Sequence, residues 1–166
     1  MKYQEKKYRV DSFTKIWRIL EEAGAKKKSK VLSTHYYAQQ EGNNIIKLVQ
    51  YENKNEIHLL QESQGKYSLK EKIPVETTDA GLKRLKDEGY KAVEVVKMVN
   101  TDYEYKGGIV GLYLINNFLH SVILDFPEGH HETLEKEFGL ETAEVISVPY
   151  NKYLEQIGKL QSIKLK

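Results

Sequence analysis

The stretch Lys2-Tyr3-Gln4-Glu5-Lys6-Lys7-Tyr8-Arg9-Val10 has the length of a strand but no evident apolar face. One face would present Tyr3, Glu5, Lys7 and Arg9, and the other would present Lys2, Gln4, Lys6 and Tyr8. Successive side chains of a strand point to opposite faces of the sheet, and a half-buried strand normally alternates apolar with polar residues. If this stretch belongs to a sheet, the groups that it faces inwardly must therefore be polar.

Length and composition limit the class of protein. The chain has 166 residues, a net charge of +2 and no cysteine. We therefore expect a single domain over residues 1–166, without disulfides, cysteine-ligated zinc or a need for nucleic acid. No apolar run approaches membrane-spanning length, and the first residues are charged, unlike those of a signal peptide. These features predict a cytoplasmic protein without a membrane partner.

The order of elements predicts an α+β protein. Hydrophobic periodicity and turn residues predict strands over 31–38, 45–52, 57–62, 67–75, 92–105, 109–115 and 118–126, with turns at 41–44, at Gly65 and at Asn116-Asn117. Helices are predicted after Asp11-Ser12 and over 78–88, 131–138 and 150–160, and the tail over 161–166 is expected to fray. Strand, helix, strand occurs twice in this order. We therefore predict a closed antiparallel β-barrel of about eight strands with the helices packed outside.

Four of the later strands each carry one charge in a mainly apolar row. These charges are Lys47, Glu71, Lys97 and Asp125. A lone charge in a core is costly, so such groups are paired, neutralised or placed on a wet cavity. Either the rows face solvent, or the charges converge from separate strands on a polar tunnel inside the barrel.

The landmarks resemble those of the CYTH family, also called triphosphate tunnel metalloenzymes. The family's opening Glu-x-Glu-x-Lys is matched by Tyr3-Gln4-Glu5-Lys6-Lys7, in which a tyrosine replaces the first glutamate. The later matches are Thr34-His35-Tyr36-Tyr37, the pair Lys47 and Val49, Leu69-Lys70-Glu71-Lys72-Ile73, Lys97-Met98-Val99, Tyr113, and Ile123-Leu124-Asp125. The resemblance spans nearly the whole chain, but only about half of the functional positions are retained.

The resemblance implies a site for a phosphorylated ligand. In this family, basic residues hold a triphosphate chain, and acidic residues hold Mg²⁺ or Mn²⁺. The implied ligand-binding residues are Lys7, Arg9, Lys47, Lys97, Tyr3 and Tyr113, and the implied metal ligands are Glu5, Glu71 and Asp125. No catalytic residue can be assigned. His35 could contact a ligand or pack at the barrel rim, and His58 is expected to face solvent or the outer helices.

Three functions remain open at this point. The first is a CYTH-like protein that binds a nucleotide or another phosphorylated small molecule, with triphosphatase chemistry reduced or lost. The second is an active metal-dependent triphosphate hydrolase or class IV-type adenylate cyclase that uses Mg²⁺ or Mn²⁺. The third is a scaffold in which the charges only pair with one another. A homodimer is an open alternative for the assembly.

Overall fold

The computed structural model describes residues 2–41, 44–63 and 66–166. It confirms the α+β class, because the described residues form a mainly antiparallel sheet and four helices. The elements are β1 (Tyr3–Val10), α1 (Thr14–Glu22), β2 (Lys26–Lys27), β3 (Val31–Glu41), β4 (Asn44–Tyr51), β5 (Asn55–Ser63), β6 (Lys66–Val75), α2 (Thr78–Asp87), β7 (Ala92–Tyr105), β8 (Gly108–Ile115), β9 (Leu119–Pro127), α3 (His131–Phe138), β10 (Glu144–Ile146), α4 (Tyr150–Gln156) and β11 (Gln161–Lys164).

The strands differ in number from the prediction. The described residues form eleven strands instead of about eight, and their pairings follow a path that has β10 and β6 at its ends. Closure into a barrel is not confirmed. The chain divides into two compact units, with Met1–Val31 and Val99–Pro149 in unit 1 and Leu32–Met98 and Tyr150–Lys166 in unit 2. Strand β7 contributes to both units.

Unit 1 has strand order β10-β1-β9-β8-β7, and one face of its sheet packs against α1 and α3. The prediction that β1 lacks an apolar face was wrong. Tyr8 is completely buried in this core, and Val10 packs against it. The hydroxyl of Tyr8 donates to Glu135 of α3 over 2.6 Å, and the Lys6 ammonium lies 2.7 Å from the same carboxylate. A polar strand residue thus enters the core because its one polar atom finds an ionised acceptor there.

Unit 2 has strand order β7-β3-β4-β5-β6, with β11 paired to β7. Its apolar core joins Leu48, Ile57 and Val93 of the sheet to Leu85 of helix α2. The helix lies close to the strands at Gly81, where an added Cβ would stand 2.6 Å from Cδ1 of Leu48. Any side chain at this crossing would have to displace the terminal methyl groups of the buried Leu48.

Short elements account for most of the other differences. The predicted Asn116-Asn117 turn is confirmed, with φ of 50° and 61°. The tail predicted to fray forms β11, and the basic run after Gly24 contains β2, which pairs with β7. Residues 42–43 and 64–65, in two predicted turns, lie outside the described residues. Within the described part of the chain, no helix is long and apolar enough to cross a membrane.

We predict that Tyr8→Phe lowers the free energy of unfolding by about 1–3 kcal/mol, because it removes the hydrogen bond of a fully buried tyrosine to the half-buried Glu135 carboxylate. The matched control is Tyr3→Phe, since the exposed Tyr3 hydroxyl also donates a hydrogen bond, to the carbonyl of Gly107. We expect the control to cost less than about 0.5 kcal/mol. Urea unfolding of both variants measures the difference, and equal losses would contradict the anchoring role of Tyr8.

Candidate functional site

The second face of the unit 1 sheet carries the charged row of β1. Glu5 stands directly opposite Asp125 of β9, and Arg9 stands opposite Ser121. Tyr113 of β8 is also paired with Ser121. Directly opposed residues of antiparallel strands share a face of the sheet, so these side chains lie on one polar face, away from Tyr8 and its core. The sequence-predicted residues of unit 1 are thus brought together, except for Tyr3.

Lys7 lies in the middle of this row and is half-buried. Its ammonium donates to the carbonyl oxygen of Val148 over 2.6 Å. Burial lowers the pKa of Lys7 to about 8, and the nearby Glu5 carboxylate opposes this shift. Lys7 therefore remains mainly charged at neutral pH but titrates close to it.

Asp102 of β7 is a polar-face residue that was not predicted. Its Oδ1 is buried and has no hydrogen-bond partner among the described residues. The position is open because Gly111 stands beside it: a Cβ there would lie 3.0 Å from this oxygen and 2.7 Å from Cε1 of Tyr113. Burial raises the pKa of Asp102, the charge of Lys28 opposes the shift, and Asp125 adds to it.

Unit 2 carries a row of polar residues that crosses four strands. Tyr37 of β3 is paired with Lys47 of β4, Lys47 with His58 of β5, and His58 with Lys72 of β6. The Lys47 ammonium lies 5.0 Å from the centre of the Tyr37 ring, within the range of a cation–π contact. This row lies on the face opposite Leu48 and Ile57, so helix α2 does not cover it.

Glu56 balances part of the positive charge on this face. Its carboxylate lies 3.4 Å from Nε2 of His58, 3.6 Å from the Lys54 ammonium and 3.7 Å from that of Lys72. Burial raises the pKa of Glu56, but the His58 hydrogen bond and the two lysines outweigh it, and the net shift is downward. His58 is itself buried, so the expectation that it faces solvent or outer helices was wrong.

His35 lies in the neighbouring row, opposite Val49. Its Nε2 lies 2.9 Å from Oγ of Ser33, and its ring stacks on Tyr37 with centroids 6.1 Å apart. Its Nδ1 is buried and finds no partner in the described part of the chain. Burial holds the pKa of His35 well below its usual value, and the charge of Lys47 adds to this effect. The imidazole is therefore neutral at pH 7.

Lys97 of β7 does not lie on the polar face of unit 2, which carries Lys47. It is exposed, and the alternation of β7 puts it on the side of Val93, which packs into the α2 core. The even-numbered side of β7 carries Glu94 instead. The Glu94 carboxylate accepts a hydrogen bond from the side-chain amide of Asn151 over 3.3 Å, and its charge contributes to a raised pKa for Tyr37. Glu94 therefore faces the Tyr37–Lys47 row.

Two further predicted residues are also separated from these rows. Glu71 is exposed and stands opposite Leu59, which pairs with Ile46 of the α2 core, so it lies on the other face from Lys47. Tyr3 is 45% exposed, and its hydroxyl donates to Gly107 in the turn after β7 over 2.7 Å. Tyr3 therefore extends towards a turn and not along the charged row.

Only two of the three predicted metal ligands are direct neighbours. Glu5 and Asp125 are direct cross-strand neighbours, but Glu71 belongs to the helix-side face of unit 2. Over residues 2–41, 44–63 and 66–166, no three histidine, aspartate or glutamate side chains are grouped so that they could hold a metal ion. Mg²⁺ is commonly held by one or two carboxylates together with water and ligand phosphates, so among the three predicted ligands only the pair Glu5 and Asp125 offers part of such a shell.

Solved structures share this fold. The PH1012 protein from Pyrococcus horikoshii OT3 is 18% identical, over 90% of this chain and 97% of that chain, with a TM-score of 0.73. A conserved hypothetical protein from Pyrococcus furiosus is 12% identical, over 90% and 98% of the two chains, with a TM-score of 0.74. A candidate adenylyl cyclase from Hippeastrum, described as having a dominant triphosphatase activity, is 15% identical, over 97% and 98%, with a TM-score of 0.58.

These likenesses confirm the predicted CYTH resemblance at the level of the fold. Neither the scan against protein-family models nor the search of curated proteins finds a match. Sequence identities of 12–18% are too low to assign an activity of these proteins to this chain. The chain therefore has a CYTH-like fold, and its function has to be argued from its own side chains.

We predict that the Cε resonance of Lys7 titrates with a midpoint near 8, because burial lowers the pKa from its usual value of 10.5. The group is charged below pH 8 and neutral well above it. The affinity for an anion that contacts Lys7 should therefore fall above pH 8, by up to about tenfold per pH unit. NMR titration of ¹³C-lysine-labelled protein measures the midpoint, with Lys7→Arg as the assignment control. A midpoint near 10.5 would contradict the burial of Lys7.

Proposed function

We propose that this protein binds a phosphorylated small molecule, with a nucleotide as the first candidate, and that triphosphatase chemistry is reduced or lost. One observation carries the proposal. In each unit, a half-buried lysine lies on the sheet face opposite the helix-packed core: Lys7 in unit 1 and Lys47 in unit 2. The resemblance to the CYTH family predicts both lysines as ligand-binding residues.

Phosphate is the ligand chemistry that suits these groups. A half-buried ammonium loses hydration, and an anion that binds it restores part of the lost electrostatic stabilisation. Burial lowers the pKa of Lys7 for the same reason, because it disfavours the charged ammonium. Arg9 lies on the same face of β1 and can hold phosphate oxygens through two parallel N–H donors. Lys47 and Lys72 add two ammonium groups to the face of unit 2.

Several differences from the family pattern argue for reduced catalysis. Tyr3 takes the place of the first glutamate, and its hydroxyl is bound to a backbone carbonyl. Val49 takes the place of an arginine and is fully buried between His35 and Glu56. A carboxylate and a guanidinium, which would hold a metal and a triphosphate, are thus replaced by groups that can do neither.

A second candidate function is metal-dependent hydrolysis or cyclisation of a nucleoside triphosphate. The observation that favours it is the cross-strand pair Glu5 and Asp125, which offers two neighbouring carboxylates. The triphosphatase activity described for the Hippeastrum protein also favours it. Mg²⁺ or Mn²⁺ would be the cofactor in that case. In either case we propose a small-molecule ligand, and neither a membrane nor a nucleic acid.

Isothermal titration calorimetry with inorganic phosphate, pyrophosphate, tripolyphosphate, AMP and ATP tests the proposal, with each compound measured with and without Mn²⁺. We expect at least one compound to bind without metal. Lys7→Ala should weaken about tenfold or more the binding of a compound held on the polar face of unit 1, and Lys47→Ala that of a compound held on the polar face of unit 2; tenfold corresponds to about 1.4 kcal/mol. Lys97→Ala is the matched control, because Lys97 is exposed on the other side of β7, and it should change the affinity less than twofold.

The outcomes separate the three functions. Binding without turnover supports the proposal. Release of phosphate or pyrophosphate that depends on Mn²⁺ would favour the second candidate function. If none of the compounds binds, the scaffold function is favoured instead. A loss in Lys97→Ala as large as that in Lys7→Ala would show that the assignment of the polar faces is wrong.

A further inference from the structure

His35 combines burial with an unused hydrogen-bonding atom. The side chain is 9% exposed, and its Nε2 is engaged by the Ser33 hydroxyl at 2.9 Å. Its Nδ1 is buried without a partner in the described part of the chain. A buried polar atom that lacks a partner loses its hydrogen bonds to water without replacement, so native structures keep few of them without a reason. A bound ligand is one such reason.

The surroundings of His35 indicate which ligand atom it could contact. Lys47 is paired with Tyr37, two residues along β3 from His35, so the two side chains are diagonal neighbours on one face. The charge of Lys47 also contributes, after burial, to the lowered pKa of His35. An anionic oxygen is the atom that an ammonium group selects. A second donor beside Lys47 would bind the same kind of atom.

A hydrogen bond from Ser33 would fix the tautomer of His35 that carries its proton on Nδ1. A neutral imidazole donates through one nitrogen and accepts through the other. If the Ser33 hydroxyl donates to Nε2, the proton of the ring lies on Nδ1, and Nδ1 becomes a donor. Because Ser33 and His35 share one face of β3 two residues apart, the backbone of the strand itself holds this arrangement.

We propose that His35 is a specificity-determining residue, whose Nδ1–H donates a hydrogen bond to a phosphate oxygen held by Lys47. This inference rests on the proposed function and names the donor set of its unit 2 part. The ligand class is a phosphate or phosphate ester with one oxygen accessible to both groups. A neutral donor next to a single ammonium adds direction without adding charge, so the pair selects a phosphate group by hydrogen-bond geometry.

Two variants of His35 separate the two ring nitrogens. The amide nitrogen of asparagine is one bond from Cγ, as Nδ1 is, whereas that of glutamine is two bonds away and corresponds to Nε2. Calorimetry with inorganic phosphate, AMP and ATP should therefore show that His35→Asn retains the wild-type affinity within about threefold. His35→Gln and His35→Leu should each lose about tenfold or more. His120→Asn, which changes a histidine packed on Phe13 in unit 1, is the matched control.

Nitrogen NMR of the histidine rings in the wild-type protein gives a readout that does not depend on variants. We expect His35 to carry its proton on Nδ1, and the Nδ1–H signal to shift when inorganic phosphate or ATP is added. A proton on Nε2, or equal affinities of His35→Asn and His35→Gln, would overturn this inference alone if the wild-type protein still binds. Failure of the wild-type protein to bind any of the three compounds would overturn the proposed function and this inference with it.

Discussion

The burial of Tyr8 is the constraint on which the polar face of unit 1 depends. Its ring is completely buried in the core, and its hydroxyl is held by the Glu135 carboxylate. The side-chain period of a strand is two, so a one-residue shift of β1 would exchange its two faces. With Tyr8 held under α3, the alternate residues Glu5, Lys7 and Arg9 must lie on the opposite face. The aromatic anchor thus determines the face on which these three charges lie.

The same logic orders unit 2 with different residues. Leu48 and Ile57 pack against helix α2, and the alternation of β4 and β5 then turns Lys47 and His58 the other way. Apolar packing on the other side of each sheet determines which way the side chains of Lys7 and Lys47 point. Salt bridges alone do not orient either row. The residues that select a ligand are placed by residues that never contact it.

Much of this arrangement could be predicted from the sequence, and the rest depended on tertiary pairing. The first strand and the long strand over 92–105 were predicted correctly, because alternation and turn residues are local signals. The face of β7 that points towards the site was not predicted correctly. Its apolar odd-numbered row, with Val93 and Val95, was interpreted as facing the site, whereas Val93 belongs to the α2 core and Glu94 faces the other way. Valine is equally suited to either face, so composition could not decide.

Glu71 and the short strands show two other limits. The β5–β6 ladder shifts register between Leu59 and Leu60, which changes the pairing of β6 next to Glu71. No residue pattern in the sequence predicted this irregularity. Strands β2, β10 and β11 contain two to four residues each. Such segments become strands only because a longer partner is already present. Asp102 was missed for a related reason, since the burial of its Oδ1 and the space left beside it by Gly111 depend on tertiary pairing.

The most direct test of the central claim is an NMR titration of ¹³C-lysine-labelled protein with ATP at pH 7. The account predicts that the Cε resonances of Lys7 and Lys47 shift and reach saturation, whereas that of Lys97 stays in place. Assignment uses one alanine variant for each lysine. A spectrum in which Lys97 moves while Lys7 and Lys47 do not would contradict the claim that the faces opposite the helix-packed cores hold the phosphate-binding groups.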